Sequence, residues 1–300
     1  MKNLADYITE AYKYNYNINN VPKYTSTGTD KVGKANNKTN YTVQPKNKNE
    51  LSDIITNAFK IKQYDLNFID TSKITDMSNL FEDIRHNFDV SKWDVSNVTN
   101  MNHMFYYCKN FDCDLSNWDV SNVTTMKYMF ACCEKFNCDL SNWNVSNVTD
   151  TAGMFIGCEN FNCDLSYWDV SNVTTMSDMF NKCDNFNCDL SKWNVSNVEN
   201  MSYMFRECYK FEGKGLENWD ISNVTKADHM FYKCKTFNCD LSNWNVSNVT
   251  DMYSMFTVCE DFKGKGLENW DVSKVKDMNY MFAECDKMTI PNWYKLYHRK

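Results

Sequence analysis

The chain has 300 residues, 43% hydrophobic and 15% aromatic, with a net charge of −7. Residues 1–50 carry eight lysines against four carboxylates, which leaves −11 for the remainder. An acidic body excludes a wrapper of nucleic acid, whose phosphates require clustered Lys and Arg. No run reaches the about 18 apolar residues of a membrane span, so no membrane insertion is expected.

Met1 to Asn20 lacks the apolar stretch of about 7–15 residues that an export signal uses. The expected location is therefore the cytosol or the inside of a particle assembled there. In residues 1–11, Leu4, Tyr7 and Ile8 fall at helical spacing. Residues 12–48 are rich in Asn, Lys, Thr and Tyr and poor in aliphatics. They bury too little to offset chain entropy, which predicts a flexible tail. Asn49 is placed to cap a helix over 49–65, whose stripe of Leu51, Ile54, Ile55, Ala58 and Phe59 would cover one end of a core.

From 66 to 286 the chain repeats. Tryptophan recurs at 93, 118, 143, 168, 193, 219, 244 and 270, and a Met-Phe or Leu-Phe pair keeps the same beat from Leu80-Phe81 to Met281-Phe282. A period of 25–26 residues is the mark of stacked repeats. Within Phe136–Asn160, Phe136, Cys138 and Leu140 alternate with polar residues as in a strand. Val148, Ala152 and Phe155 are spaced as in a helix. The expectation is an α/β repeat solenoid with one short strand and one short helix or 3-10 turn per unit. Two longer units carry Gly213-Lys214-Gly215 and Gly264-Lys265-Gly266, read as bulges. Residues 287–300 break the spacing and are expected to form a C-terminal cap.

The recurring W-D/N-V-S-N-V-T-x-M-x-x-M-F-x-x-C-x-x-F-N-C-D-L-S-N, over about 66–286, resembles the BspA-like bacterial surface-protein repeat grouped with Mycoplasma surface lipoproteins. The resemblance implies a leucine-rich-repeat-like solenoid, protein–protein recognition and no catalytic residue. The chain departs from that family in its two Cys columns and in lacking a secretory leader. Residues 1–11, with Ile8-Thr9-Glu10, resemble the capsid-targeting leader of tailed-phage internal head proteins. That resemblance implies cleavage between Glu10 and Ala11 and packaging in a phage head. The alternatives are an adhesin displayed on a cell or virion, and a cytosolic interaction protein of a large DNA virus or a protist.

The 14 cysteines form two columns, led by Cys108 and Cys113, with Cys132 the odd one. Their Cys-x₄-Cys spacing has no companion His, and the four histidines follow no column, which argues against zinc. Reduced core ladders are the favoured reading, although stacked turns are close enough for disulfides. The repeated Asp114, Asp139, Asp164, Asp189 and Asp240 lack the dense oxygen ligands of a calcium loop and read as turn hydrogen bonders. The Asn-Val-Thr and Asn-Val-Ser triplets match glycosylation sequons but read as corner chemistry. No phosphate loop, nucleophile elbow or His-Glu-x-x-His appears, so neither catalysis nor a cofactor is expected. Invariant Trp and Met-Phe columns indicate core, so recognition falls to positions that vary around Met-Phe: Tyr106, Tyr107, Tyr128, Tyr203, Arg206, Tyr232 and Tyr253. The expected partner is a protein, bound by a monomer.

Overall fold

A computed structural model describes residues 43–297. Glu10, Ala11 and the rest of the leader lie outside the described residues, as does most of the 12–48 segment. Residues 43–48 are built into the structure, with Val43 bridging Ile69. Helix α1 spans Lys48–Lys60. Its cap is Asn47, not Asn49: the Asn47 side chain accepts the Glu50 N–H at 3.0 Å, and Glu50 returns a bond to the Lys46 N–H at 2.6 Å. Leu51, Ile54, Ile55 and Ala58 are buried, and Phe59 lies 6.4 Å from Phe81 and 5.7 Å from Phe88. The stripe covers the first coil.

Successive coils then stack in parallel, linked by a chain of single bridges from Asp76–Asn100 to Asp251–Asp277. The expected strand and helix per unit are absent. Among the described residues there is no named strand; the α-helices are α1 and α2 (Asn292–Tyr297), and the 3-10 turns are Leu216–Asn218 and Leu267–Asn269. The α/β expectation is thereby overturned.

The reason lies in where the backbone bonds go. In the coil containing Met126–Cys133, four N–H groups donate to the next coil: Met126 to Asp150, Tyr128 to Ala152, Phe130 to Met154 and Cys132 to Ile156, at 2.6–3.0 Å. Met129, Ala131 and Cys133 instead donate three residues back within their own coil. Lys127 donates to the Asn102 side chain at 2.8 Å. Every N–H of the segment has a partner, as burial demands. At most junctions a single backbone bond runs the other way, as from Thr124 N–H to the Thr99 carbonyl. The alternation is made by left-handed residues. Tyr128 and Cys132 have φ of 53° and 60°, and their counterparts His103, Tyr107, Asp178, Lys182, Tyr203 and Glu207 are also positive. A left-handed residue every four positions forbids an α-helix. Val258, at φ 61°, is the one β-branched member. Because Asn tolerates this region, Val258→Asn is expected to stabilise the fold by about 1 kcal/mol, read from a higher denaturation midpoint.

The strand-like Phe-x-Cys-x-Leu segment fails to pair because sulfur takes the ladder position. The Leu115 N–H donates to Cys138 Sγ at 3.1 Å, Leu140 to Cys163 at 3.1 Å and Leu165 to Cys188 at 3.2 Å. In the longer units the inserted lysine supplies a carbonyl instead: Leu190 donates to Lys214 at 3.2 Å and Leu241 to Lys265 at 3.1 Å. The extra residue and the missing Cys are thus one exchange, thiol for carbonyl.

The core is columnar. Phe105, Phe130, Phe155, Phe180 and Phe205 stack at 5.4–5.8 Å, each within 4.0–4.2 Å of a ring from the second Phe column, Phe111 to Phe211. The indoles stand parallel at 6.5 Å, as in Trp118–Trp143–Trp168, and each Nε1 donates to a carbonyl of the preceding coil. Trp293 continues this column: it stacks on Trp270 at 6.5 Å and donates to the Leu267 carbonyl at 2.8 Å. The segment that breaks the sequence spacing therefore still closes the indole stack.

All 14 cysteines are free thiols. The first column donates S–H to carbonyls of the coil before, as Cys133 to Phe105 at 3.0 Å and Cys158 to Phe130 at 3.0 Å. Burial pushes the Cys108, Cys113 and Cys163 thiols up to about 12, so thiolate is scarce at neutral pH. Native alkylation at about pH 8 is expected to reach half-buried Cys132 and Cys138, the others reacting only on unfolding. Rapid labelling of Cys133 or Cys158 in folded protein, mapped by peptide mass, would contradict this packing.

Candidate protein-recognition face

The coil-to-coil bonds fix the backbone from Met101 to Tyr107 and its counterparts, so side chains there line up in columns. One column, directly before Met-Phe, reads His103, Tyr128, Gly153, Asp178, Tyr203, His229, Ser254 and Tyr280, all with positive φ. The predicted recognition residues fall into two aromatic clusters built on it.

The first joins Tyr106, Tyr107 and Tyr128 through His103. Tyr106 and Tyr107 meet edge-on at 4.8 Å, and His103 lies 5.4 Å from Tyr106 and 5.1 Å from Tyr128. Burial lowers the His103 pKa, which keeps the ring neutral at pH 7. The Tyr128 ring extends over the next coil, where a Cβ on Gly153 would sit 2.1 Å from its Cε1. Glycine makes the space in which the ring lies.

The second joins Tyr203, Arg206, Tyr232 and Tyr253 around His229. His229 stacks on Tyr203 at 4.4 Å and lies 5.7 Å from Tyr232 and 5.1 Å from Tyr253. Tyr253 meets Tyr280 at 5.8 Å. The Arg206 guanidinium stands 5.3 Å from the Tyr232 ring centre and the Lys233 ammonium 5.2 Å. Glu207 pairs with Arg206 at 2.9 Å and with Lys233 at 3.7 Å. Burial pushes the Asp228 carboxyl up, but bonds from His229 and Ser202 outweigh it and its pKa falls. Burial raises that of Asp178, whose carboxylate accepts from Asn181 at 2.8 Å. Ring stacking and ion pairs hold these side chains in place before any partner arrives.

His103, His229 and Tyr280 were missed as anchors. The four histidines form no column of their own, but two of them, His103 and His229, share the position directly before Met-Phe. The single extra residue at 213–215 hides this from a fixed count of 25. Elsewhere the repeated aspartates act as turn acceptors, Asp114 for the Ser116 N–H and Asp139 for that of Ser141, both at 2.9 Å. Among the described residues no group of His, Cys, Asp and Glu is arranged to hold a metal ion, and no helix is long and apolar enough to cross a membrane.

Comparison with known proteins follows the repeat. A family model described as "Mycoplasma protein of unknown function, DUF285" matches residues 49–162, 138–214 and 210–295. No curated protein matches the chain. The match supports the Mycoplasma-type repeat resemblance and does not reach the head-leader resemblance of residues 1–11. Three overlapping matches that run from α1 to the C-terminal cap show that the chain belongs to the DUF285 family.

Proposed function

We propose that the chain is a non-enzymatic recognition protein whose protein partner docks on the two aromatic clusters. One observation carries this reading: the side chains that change from coil to coil gather on one set of columns, where Tyr and His cluster with Arg206 and are held by their own contacts. Aromatic and Arg anchors of this kind dominate binding energy at protein interfaces, and pre-ordering lowers the cost of docking. The membership in a Mycoplasma-type family favours display at a surface over packaging in a phage head with cleavage after Glu10.

The test compares the wild type with Tyr232→Ala/Arg206→Ala in capturing proteins from cells that the source organism contacts. The double variant is expected to lose about 30-fold or more in affinity for the wild type's partner, while Tyr167→Ala, an exposed ring outside the clusters, keeps it. Equal capture by the wild type and the double variant would end the proposal.

A further inference from the structure

A second array lies on the Asn-Val-Thr corner. Asn172, Asn197 and Asn223, all exposed, and half-buried Asn248 form one file, with Thr174, Glu199 and Thr225 in a parallel file beside it, lining a groove of about 810 Å³. Each Asn Nδ2 donates to a Ser carbonyl of the preceding coil at 2.7 Å. Thr174 and Thr225 hydroxyls donate to carbonyls of the coil before at 3.3 and 3.2 Å. Each side chain is thus fixed in one rotamer. What remains outward is one amide N–H per Asn, one carbonyl oxygen on Asn172, Asn197 and Asn223, and hydroxyl lone pairs per Thr. Glu199 and Lys274 are the only charged side chains of the lining, and Lys274 is tied to Asn248 Oδ1 at 2.7 Å.

We propose that this groove binds an extended segment of neutral polysaccharide. A floor of fixed amides and hydroxyls offers donors and acceptors to a ligand that has both on every unit, as a sugar chain does. Its near-neutrality selects against nucleic acid and polyanionic glycans. A peptide strand would need pockets for alternate side chains, and the floor of Asn, Thr and the single Glu199 offers none. Coils spaced by about 4.8 Å repeat at close to the length of one pyranose ring. Locked rotamers remove the ordering cost that makes polar side chains weak binders.

The test is co-sedimentation of the full chain with insoluble cellulose, β-1,3-glucan, mannan and chitin, with titration of the matching soluble oligosaccharides. The wild type is expected to bind at least one of them. Thr174→Val/Thr225→Val keeps the shape and removes two hydroxyls, and is expected to weaken that binding about tenfold with an unchanged melting curve. Asn197→Asp, which adds a second negative charge beside Glu199 at the groove centre, is expected to weaken it as well, while Tyr232→Ala in the aromatic cluster leaves it intact. Retention on none of the four glycans, affinity indifferent to the Thr and Asn variants, or tighter binding to dextran sulfate than to any neutral glycan would overturn the proposal. Because Tyr232→Ala acts only on the protein-binding face, failure of either reading leaves the other standing.

Discussion

Phe180→Ala is expected to destabilise the protein by about 3–5 kcal/mol, at the upper end for a single substitution. The ring is fully buried and lies 4.0 Å from Phe186, 5.8 Å from Phe155 and 5.7 Å from Phe205. Its removal opens a void between three coils at once. The backbone on either side is pinned by the Phe180 to Met204 and Phe155 to Met179 hydrogen bonds, both 2.9 Å, so it closes in only partly. Stacked repeats share stability between nearest neighbours. The loss should therefore appear twice: as a lower denaturation midpoint, and as faster amide exchange concentrated between residues 155 and 205. Uniform exchange along the chain, or a loss below about 1 kcal/mol, would contradict the columnar core.

Gly215→Ala is expected to cost about 3 kcal/mol. Gly215 has φ 92° and ψ −4°, outside the comfort of an L side chain. A Cβ there would sit 2.2 Å from the Ser191 nitrogen and 2.7 Å from the Leu190 carbonyl carbon. Both are backbone atoms held by the neighbouring coil, so neither can swing aside. The close approach is also what brings the Lys214 carbonyl to the Leu190 N–H at 3.2 Å, and alanine would break that bond. Gly153→Ala is the control. Its clash is with the end of the Tyr128 ring, a side chain that can be displaced at the cost of its contact with His103, and about 1 kcal/mol is expected there. Equal melting temperatures for the two variants would refute the distinction between backbone and side-chain obstruction.

The period and the aromatic core are legible in the sequence because repetition amplifies a weak signal. A Trp in each unit from Trp93 to Trp270, each followed by Met-Phe, leaves little freedom about what faces inward. The conformation of each coil is a different matter. Val148, Ala152 and Phe155 have helical spacing, yet between them Gly153, and beyond them Gly157, take positive φ. In other coils the same places hold Tyr, His, Lys, Glu and even Val, residues that give no hint of a left-handed backbone. The conformation is imposed by hydrogen bonds to residues about 24 positions away, which local spacing cannot reveal. The thiol acceptors hide in the same way, since Cys138 reads as an apolar strand residue until its partner Leu115 is seen. The aromatic clusters were half visible: the variable tyrosines stand out, while the histidines that join them are obscured by one inserted residue.

The four forward bonds at each junction give the stack an electrical polarity. Their N–H groups all point toward the C-terminal end and their carbonyls toward the N-terminal end. Aligned peptide dipoles add, as they do along a helix, so the first coil forms a negative pole and the last a positive one. The two ends are dressed to match. The Lys48 ammonium sits at the first coil, bonded to Ser78 and Asp76, and at the last coil the Tyr294 oxygen faces the Phe282 and Met281 backbone. A longer relative could add coils without altering its middle, but its two poles would still need a cation and an acceptor. With α1 stripped from one copy and the C-terminal cap from another, the exposed carbonyls of the first would become the natural landing place for the opened amides of the second.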